Sequence, residues 1–90
     1  MTALAGRVAL VTGAGRRVGR AIALALGAQG MRVVVHYNAS AEGARETARL
    51  IVQSGAQAST VQADLADVSA CERLVDDTVR EQRELFLLVN

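Results

Sequence analysis

Short runs of apolar residues alternate along this chain with stretches in which apolar residues recur every three or four positions. The runs lie at residues 8–11, 33–35, 58–63 and 85–89 and predict four strands, of which the third is the weakest. Three amphipathic helices are predicted between them, and glycines mark the ends of the first two. The element order is therefore βαβαβαβ.

The helical periodicity also predicts where the later helices begin and which side of the first helix is buried. Ser40 is expected to cap the second helix, and Ser69 with Glu72 has the spacing of a capping box for the third. The buried stripe of the first helix is predicted to consist of Val18, Ala21, Ile22, Ala25 and Leu26.

Strands that are apolar on both faces and separated by helices are typical of a parallel sheet covered on both sides. The predicted fold class is α/β, a Rossmann-like parallel sheet with helices on both faces and strand order 3-2-1-4. Residues 1–90 are interpreted as part of one domain, since a complete doubly wound sheet has more than four strands. Either another chain covers the far edge of the run at 85–89, or the sequence is an N-terminal fragment. We favour the fragment, which would aggregate or pair through that open edge.

Composition and net charge indicate the class of protein and the kinds of binding partner to expect. Hydrophobic residues make up 51% and charged residues 21% of the 90 residues, which is typical of a globular protein. The net charge of +1 favours neither nucleic acid nor an anionic membrane as a partner. Because there is no basic leader and no apolar stretch of about 20 residues, a cytoplasmic protein is expected. The single cysteine, Cys71, argues against a disulfide framework and against a thiolate metal site.

The sequence Thr-Gly-Ala-Gly-Arg-Arg-Val-Gly at residues 12–19 joins the first strand to the first helix. Unpaired N–H groups and the helix dipole favour an anion at such a turn. Gly13 can adopt a backbone conformation closed to larger residues, and Gly19 lets the helix approach the strand closely. Arg16 and Arg17 add two guanidinium groups suited to phosphate. The alternative is a tight turn that holds no ligand.

Three segments of the chain resemble motifs of the short-chain dehydrogenase/reductase family. Residues 12–19 resemble its glycine-rich turn, and Asp64 with Leu65 resembles its adenine-contacting pair. Residues 87–90 resemble the start of its fourth-strand Asn-Asn-Ala-Gly motif. Arg17 and the segment at 36–40 are similar to the pteridine reductase branch, with the ketoacyl reductases as second choice. Arg17 and Arg83 stand where the family commonly has glycine.

The resemblance implies a dinucleotide cofactor and a set of residues that bind it. NADP(H) is favoured over NAD(H), because residues 33–38 contain no acidic residue to hold the ribose hydroxyls. Arg16, Asn38 and Ser40 would face the 2′-phosphate, and His36 is expected near the adenosine and not as a catalytic base. The predicted cofactor-binding residues are Gly13, Arg16, Arg17, Val18, Gly19, His36, Tyr37, Asn38, Ser40, Asp64, Leu65 and Asn90.

The family's catalytic residues have no counterpart in this chain. Members transfer a hydride between a nicotinamide cofactor and a carbonyl or imine, using a serine, a tyrosine and a lysine four residues after the tyrosine. The chain contains no lysine, and Ala41 stands four residues after its one tyrosine, Tyr37. No catalytic residue is therefore predicted, and the 90 residues are not expected to be active alone.

The resemblance implies that the Ser-Tyr-Lys set and the helices that form a homotetramer follow the fourth strand. The chain is thus interpreted as the N-terminal NADP-binding half of an oxidoreductase domain. The alternative is a stand-alone dinucleotide-binding or subunit-pairing module without catalysis.

Overall fold

Four strands and three helices alternate along the chain in the computed structural model, which describes residues 3–90; Met1 and Thr2 lie outside the described residues. The elements are β1 (Val8–Val11), α1 (Arg17–Ala28), β2 (Arg32–Tyr37), α2 (Ala41–Gln53), β3 (Gln57–Gln62), α3 (Val68–Gln82) and β4 (Leu87–Val89). This confirms the predicted element order. β2 is longer than predicted, and β4 begins two residues later.

The strands form one parallel sheet in the order β3-β2-β1-β4, as predicted. Leu10 in β1 lies between Val34 of β2 and Leu88 of β4. All four side chains of β1 are fully buried, because neighbouring strands flank β1 and helices cover both faces of the sheet. The carboxyl ends of the strands therefore meet at one edge.

The two faces of the sheet carry separate apolar clusters. Successive side chains of a strand point to opposite faces, so β1 contributes to both clusters. One cluster joins Val11 of β1 to Ala23 of α1 and Ile51 of α2. The other joins Leu10 of β1 to Leu74 of α3. Helices thus cover both faces of the sheet, which confirms the predicted Rossmann-like architecture.

The buried side of α1 differs from the prediction. Its fully buried residues are Ala23 and Gly27, and a Cβ added at Gly27 would lie 3.0 Å from a methyl group of Ile51. These small residues let α1 pack closely on α2, and they decide which side of α1 faces inward. The residues that were predicted to be buried and are exposed are Val18, Ala21 and Ala25.

The helix caps also differ from expectation in detail. Ser40 precedes α2 as predicted, but its hydroxyl makes no capping hydrogen bond. The capping box predicted at Ser69 is wrong, because Asp67 caps α3. The Asp67 carboxylate accepts hydrogen bonds from the N–H groups of Ser69 (2.9 Å) and Ala70 (3.4 Å). An ionised side chain is the stronger acceptor at a helix N-terminus.

The opposite end of the sheet is held by charged side chains. The Glu84 carboxylate accepts hydrogen bonds from the backbone N–H of Val8 (3.2 Å) and the guanidinium of Arg7 (3.1 Å). Arg32 of β2 lies 3.9 Å from the same carboxylate, and the Arg7 guanidinium stacks 4.0 Å from the ring centre of Phe86. This ionic cluster fixes the entry into β4 against β1 and β2.

The two edges of the sheet have opposite chemical character. β3 has the polar sequence Gln-Ala-Ser-Thr-Val-Gln, and Ser59 and Thr60 are exposed. β4 is Leu-Leu-Val, and Leu88 is 49% exposed. Polar side chains protect an edge strand from pairing with other chains, whereas an apolar edge favours it.

We expect Leu88→Lys to raise the monomeric fraction of the isolated chain severalfold, because a charge on the apolar edge opposes edge-to-edge pairing. Size-exclusion chromatography with light scattering measures this fraction. Thr60→Lys, on the edge that is already polar, is the matched control and should leave the fraction unchanged. An equal response to both substitutions would contradict the assignment of association to β4.

Candidate functional site

The loops that follow the four strands converge at the carboxyl edge of the sheet. The turn after β1 is the central one, since loops after β2 and β4 flank it. The backbone N–H of Ala14 donates to the carbonyl of His36 (3.1 Å), and that of Thr12 donates to the carbonyl of Val89 (2.9 Å). Ligands of open α/β sheets bind at this edge.

A run of backbone donors lies unpaired in the turn. The N–H groups from Gly15 to Gly19 have no acceptor within residues 3–90. Arg16 occupies the N-cap position of α1 without a side-chain capping bond, and the first turn carries no acidic residue. Consecutive free donors at the positive end of a helix dipole are an anion-binding arrangement.

Gly19 permits an unusually close approach between α1 and the turn. A Cβ added at Gly19 would lie 2.2 Å from the carbonyl oxygen and 2.9 Å from the carbonyl carbon of Gly13. Gly13 has φ +61°, a conformation that favours glycine. The structure thus accounts for both glycines singled out in the sequence.

Arg16 and Arg17 are exposed, and neither side chain has a partner among the described residues. Arg17 has φ +57°, so it adopts the left-handed conformation that the family's usual glycine would adopt more easily. Arg83 likewise has φ +66° at the end of α3. Val18 is 71% exposed. Both guanidinium groups are therefore available to a ligand at the turn.

His36, which was expected near the adenosine, is only 3% exposed. Its Nδ1 accepts a hydrogen bond from the N–H of Gly13 (3.1 Å), and its Nε2 donates to the carbonyl of Ala63 (2.8 Å). Both ring nitrogens are therefore used within the protein. The side chain links the turn after β1 to the loop after β3 and does not line the surface.

A second polar network, which the sequence analysis missed, holds the other half of the turn. The Arg20 guanidinium donates to the carbonyls of Gly15 (2.7 Å) and Gly43 (3.1 Å) and to the Thr47 hydroxyl (2.9 Å). Thr47 is fully buried, and its hydroxyl donates to the carbonyl of Ala14 (2.8 Å). The sequence does not distinguish Arg20 from the neighbouring arginines. The threonine at a buried position of the helix is therefore the one feature of the sequence that could have predicted this network.

The loop after β2 brings uncharged polar groups beside the turn. Asn38 is exposed, and the hydroxyl of Ser40 makes no capping hydrogen bond within residues 3–90. Tyr37 packs against the apolar cluster that contains Ala23 and Ile51, and it lies only partly at the surface. The first acidic residue, Glu42, is exposed in the first turn of α2. The end of β2 therefore offers no carboxylate to a ribose.

The loops after β3 and β4 place the remaining predicted residues at the same edge. Asp64 is exposed, and its carboxylate accepts a hydrogen bond from the N–H of Ala66 (3.0 Å). Leu65 is partly buried and packs under α3. The Thr12 hydroxyl lies 3.2 Å from both the Val89 carbonyl and the Asn90 side-chain oxygen, which ties β4 to the turn.

Neither a metal cluster nor a membrane span occurs in the part of the chain that the structure describes. No group of three or more His, Cys, Asp or Glu side chains in residues 3–90 is placed to share a metal ion. Within the same range, no helix has both the length and the apolar character needed to cross a bilayer.

The arrangement suits the phosphate groups of a dinucleotide. Free N–H groups and two unpaired arginines suit a pyrophosphate, and the glycine contact leaves no side chain in the way. The sequence has no lysine to accompany Tyr37. The turn presents backbone donors and positive charge of the kind that suits a phosphate group.

Comparison with known proteins agrees with this geometry. A family model described as short chain dehydrogenase matches residues 7–90. Over 90 residues the chain is 43% identical to the 3-oxoacyl-[acyl-carrier-protein] reductase of Synechocystis sp.. The match covers 100% of this chain and 36% of that reductase, so the chain spans about a third of its relative's length.

Two similar solved structures contain a cofactor. A dehydrogenase from Burkholderia cenocepacia with bound NADP has a TM-score of 0.87 and 36% identity, covering 94% of this chain and 33% of the other. A metagenomic short-chain oxidoreductase in complex with NADP has a TM-score of 0.90 and 34% identity, covering 97% and 39% respectively.

Gly19→Ala is expected to lower the free energy of unfolding by about 2 kcal/mol, because the new methyl group would overlap the Gly13 carbonyl. Urea unfolding followed by circular dichroism measures the change. Ala21→Ser, on the exposed side of the same helix, is the control and should change stability by less than about 0.5 kcal/mol. Equal stability of Gly19→Ala and the parent chain would contradict the close approach.

Proposed function

Because the chain belongs to the short-chain dehydrogenase family, we propose that it forms the N-terminal, NADP(H)-binding part of an oxidoreductase. The proposed reaction is hydride transfer between NADP(H) and a carbonyl or imine. Since the chain spans about a third of its relatives, this activity is proposed for a longer assembly that contains these 90 residues. The chain by itself would supply cofactor binding.

The observation that carries the proposal is the run of N–H groups from Gly15 to Gly19 that have no acceptor within residues 3–90. The close approach of Gly19 to Gly13 leaves no side chain at the start of the helix to obstruct a ligand. The turn would hold the pyrophosphate, with Arg17 neutralising its charge and Arg16 facing the 2′-phosphate. The exposed Asp64 and the partly buried Leu65 are proposed to flank the adenine, as the family resemblance implies.

The preference for NADP(H) is proposed from the charge at the end of β2. No carboxylate lies there; Asn38 is exposed, and Ser40 lies beside the turn, with its carbonyl oxygen 3.6 Å from a Cβ added at Gly15. A carboxylate about 5 Å from the 2′-phosphate would repel it. This repulsion would weaken NADP(H) binding by roughly 3 kcal/mol per unit charge at an effective dielectric constant near 20. The two NADP-containing structures described above support the same choice.

The mechanism that follows is one of binding and orientation. When bound, the nicotinamide would supply or accept the hydride. Asn90, which shares a hydrogen bond with Thr12, would close the cofactor site on the β4 side. Tyr37 is partly buried against the core, so it is not proposed as the proton donor. Proton transfer would need residues beyond those in this chain.

Pteridine, ketoacyl, steroid and sugar carbonyls are the alternative substrate classes, and specific observations favour the first two. Arg17 and the segment at 36–40 favour a pteridine reductase-like branch, in which Arg17 would reach toward both cofactor phosphate and substrate. The 3-oxoacyl reductase relative supports the ketoacyl alternative. We propose the pteridine-like branch on the strength of Arg17, whose guanidinium is exposed and unpaired within the described residues.

The apolar edge of β4 supports a second candidate function, a dinucleotide-binding module that pairs with another subunit. Leu88 is half exposed and its strand has a neighbour on one side only. Such a module would bind NADP(H) as a stable complex with a partner strand along β4. Recovery of a folded, NADP-binding monomer without any partner would argue against it.

The first experiment is a titration of the purified chain with NADPH and NADH, followed by nicotinamide fluorescence. Saturable binding with a preference for NADPH is the expected result. A chimera in which residues 1–90 replace the matching part of the Synechocystis reductase provides the same measurement in a completed sheet. A folded chimera that binds neither dinucleotide would overturn the proposal.

Arg16→Ala is expected to weaken NADPH binding by about tenfold and NADH binding by less than about twofold, because the guanidinium would contact the 2′-phosphate. Dissociation constants for both cofactors in the chimera test this. Arg49→Ala is the matched control, since Arg49 is exposed and already paired with Glu46 (2.6 Å). Equal losses for the two cofactors would remove the 2′-phosphate assignment from Arg16.

A further inference from the structure

His36 is the one polar residue of β2 whose side chain is buried, and it lies between two loops of the proposed cofactor site. Its backbone carbonyl accepts a hydrogen bond from Ala14 (3.1 Å), while its Nδ1 accepts one from Gly13 (3.1 Å). On the other side its Nε2 lies 2.8 Å from the carbonyl of Ala63, directly before Asp64. His36 thus forms hydrogen bonds with three backbone groups of the neighbouring loops.

These partners determine the tautomer of the imidazole. Gly13 offers an N–H, so Nδ1 must be the unprotonated, accepting nitrogen. Ala63 offers a carbonyl oxygen, so Nε2 must carry the proton and donate it. A neutral ring with its proton on Nε2 satisfies both hydrogen bonds, and a proton on Nδ1 would leave the Gly13 N–H without an acceptor.

The bond to Gly13 selects which N–H groups of the turn face a ligand. Because the Gly13 N–H points at Nδ1 and the Ala14 N–H at the His36 carbonyl, both donors are directed into the protein. The unpaired donors begin at Gly15. The imidazole therefore sets the starting point and direction of the phosphate-binding turn, although it does not reach the surface itself.

We propose that His36 is a positioning residue for the dinucleotide, acting through Gly13 on the phosphate-binding turn and through Ala63 on the loop that carries Asp64. This inference rests on the proposed function, because it assigns the role relative to that cofactor. The bond to Gly13 is the one that matters most for affinity, since it orients the donors that meet the phosphates. The bond to Ala63 fixes the distance to the neighbouring loop.

Two substitutions separate the hydrogen bonds. The side-chain oxygen of asparagine and Nδ1 of histidine are both three bonds from Cα, so His36→Asn keeps an acceptor for Gly13. The amide nitrogen of glutamine and Nε2 of histidine are both four bonds from Cα, so His36→Gln keeps a donor for Ala63. His36→Phe removes both polar groups while filling the buried space.

We expect His36→Asn to bind NADPH within about threefold of the parent, whereas His36→Gln and His36→Phe lose about tenfold or more. Binding is measured by fluorescence in the full chain and in the chimera described above. Thr78→Val is the control, because it deletes a buried hydrogen bond to Leu74 (2.7 Å) in α3, away from the turn. That variant should keep the NADPH affinity of the parent.

Two further readouts keep the role of His36 distinct from the cofactor assignment. Nitrogen-15 NMR of the imidazole should show the proton on Nε2, and amide exchange at Gly13 should accelerate in His36→Gln but not in His36→Asn. A proton on Nδ1, or unchanged NADPH affinity in a folded His36→Phe, would overturn the inference. Absence of NADPH binding by the folded parent chimera would instead overturn the proposed function, while the exchange data would still test the bond to Gly13.

Discussion

Complete burial of β1 is the constraint on which the rest of this structure depends. A strand with neighbours on both sides and helices on both faces must be apolar at every position, and Val8–Val11 meets this requirement with no exposed side chain. Because β1 is flanked by β2 and β4, the turn that follows it emerges between two other loops. The position of the anion-binding turn is therefore a consequence of the sheet order.

Buried polar side chains form hydrogen bonds with backbone groups of the turn. His36 engages Gly13, and Arg20 with Thr47 engages the carbonyls of Ala14 and Gly15. Polar groups inside a protein must find partners, and here they find them in the backbone of the site itself. The N–H groups from Gly15 to Gly19 are left without an acceptor in residues 3–90. Within one short segment, some backbone groups are thus hydrogen-bonded inside the protein, and others are left to bind a ligand.

The strand order and the glycine turn could be predicted from sequence, because continuous apolar runs and a glycine-rich junction each have few structural solutions. The buried side of α1 could not. The sequence of α1 is apolar at most positions, so its periodicity is compatible with more than one orientation of the helix. The close contact between Gly27 and Ile51 determines which orientation is adopted. The sequence pattern does not single out Asp67 as a cap, because Ser69 and Glu72 have the spacing of a capping box. The role of His36 depends on groups 23 and 27 residues away, which no local pattern reports.

The Glu84 cluster and the pairing of β4 with β1 have a consequence for the order in which the chain folds. Leu10 pairs with Val34 across 24 residues but with Leu88 across 78, so closing the second loop costs about 1 kcal/mol more chain entropy. At roughly 5–20 residues per second of synthesis, several seconds separate the appearance of β2 from that of β4. During that interval one edge of β1 lacks its neighbour and Arg7 lacks Glu84. β1, which lies inside the four-stranded sheet, is therefore an edge strand in the nascent chain until β4 has been synthesised.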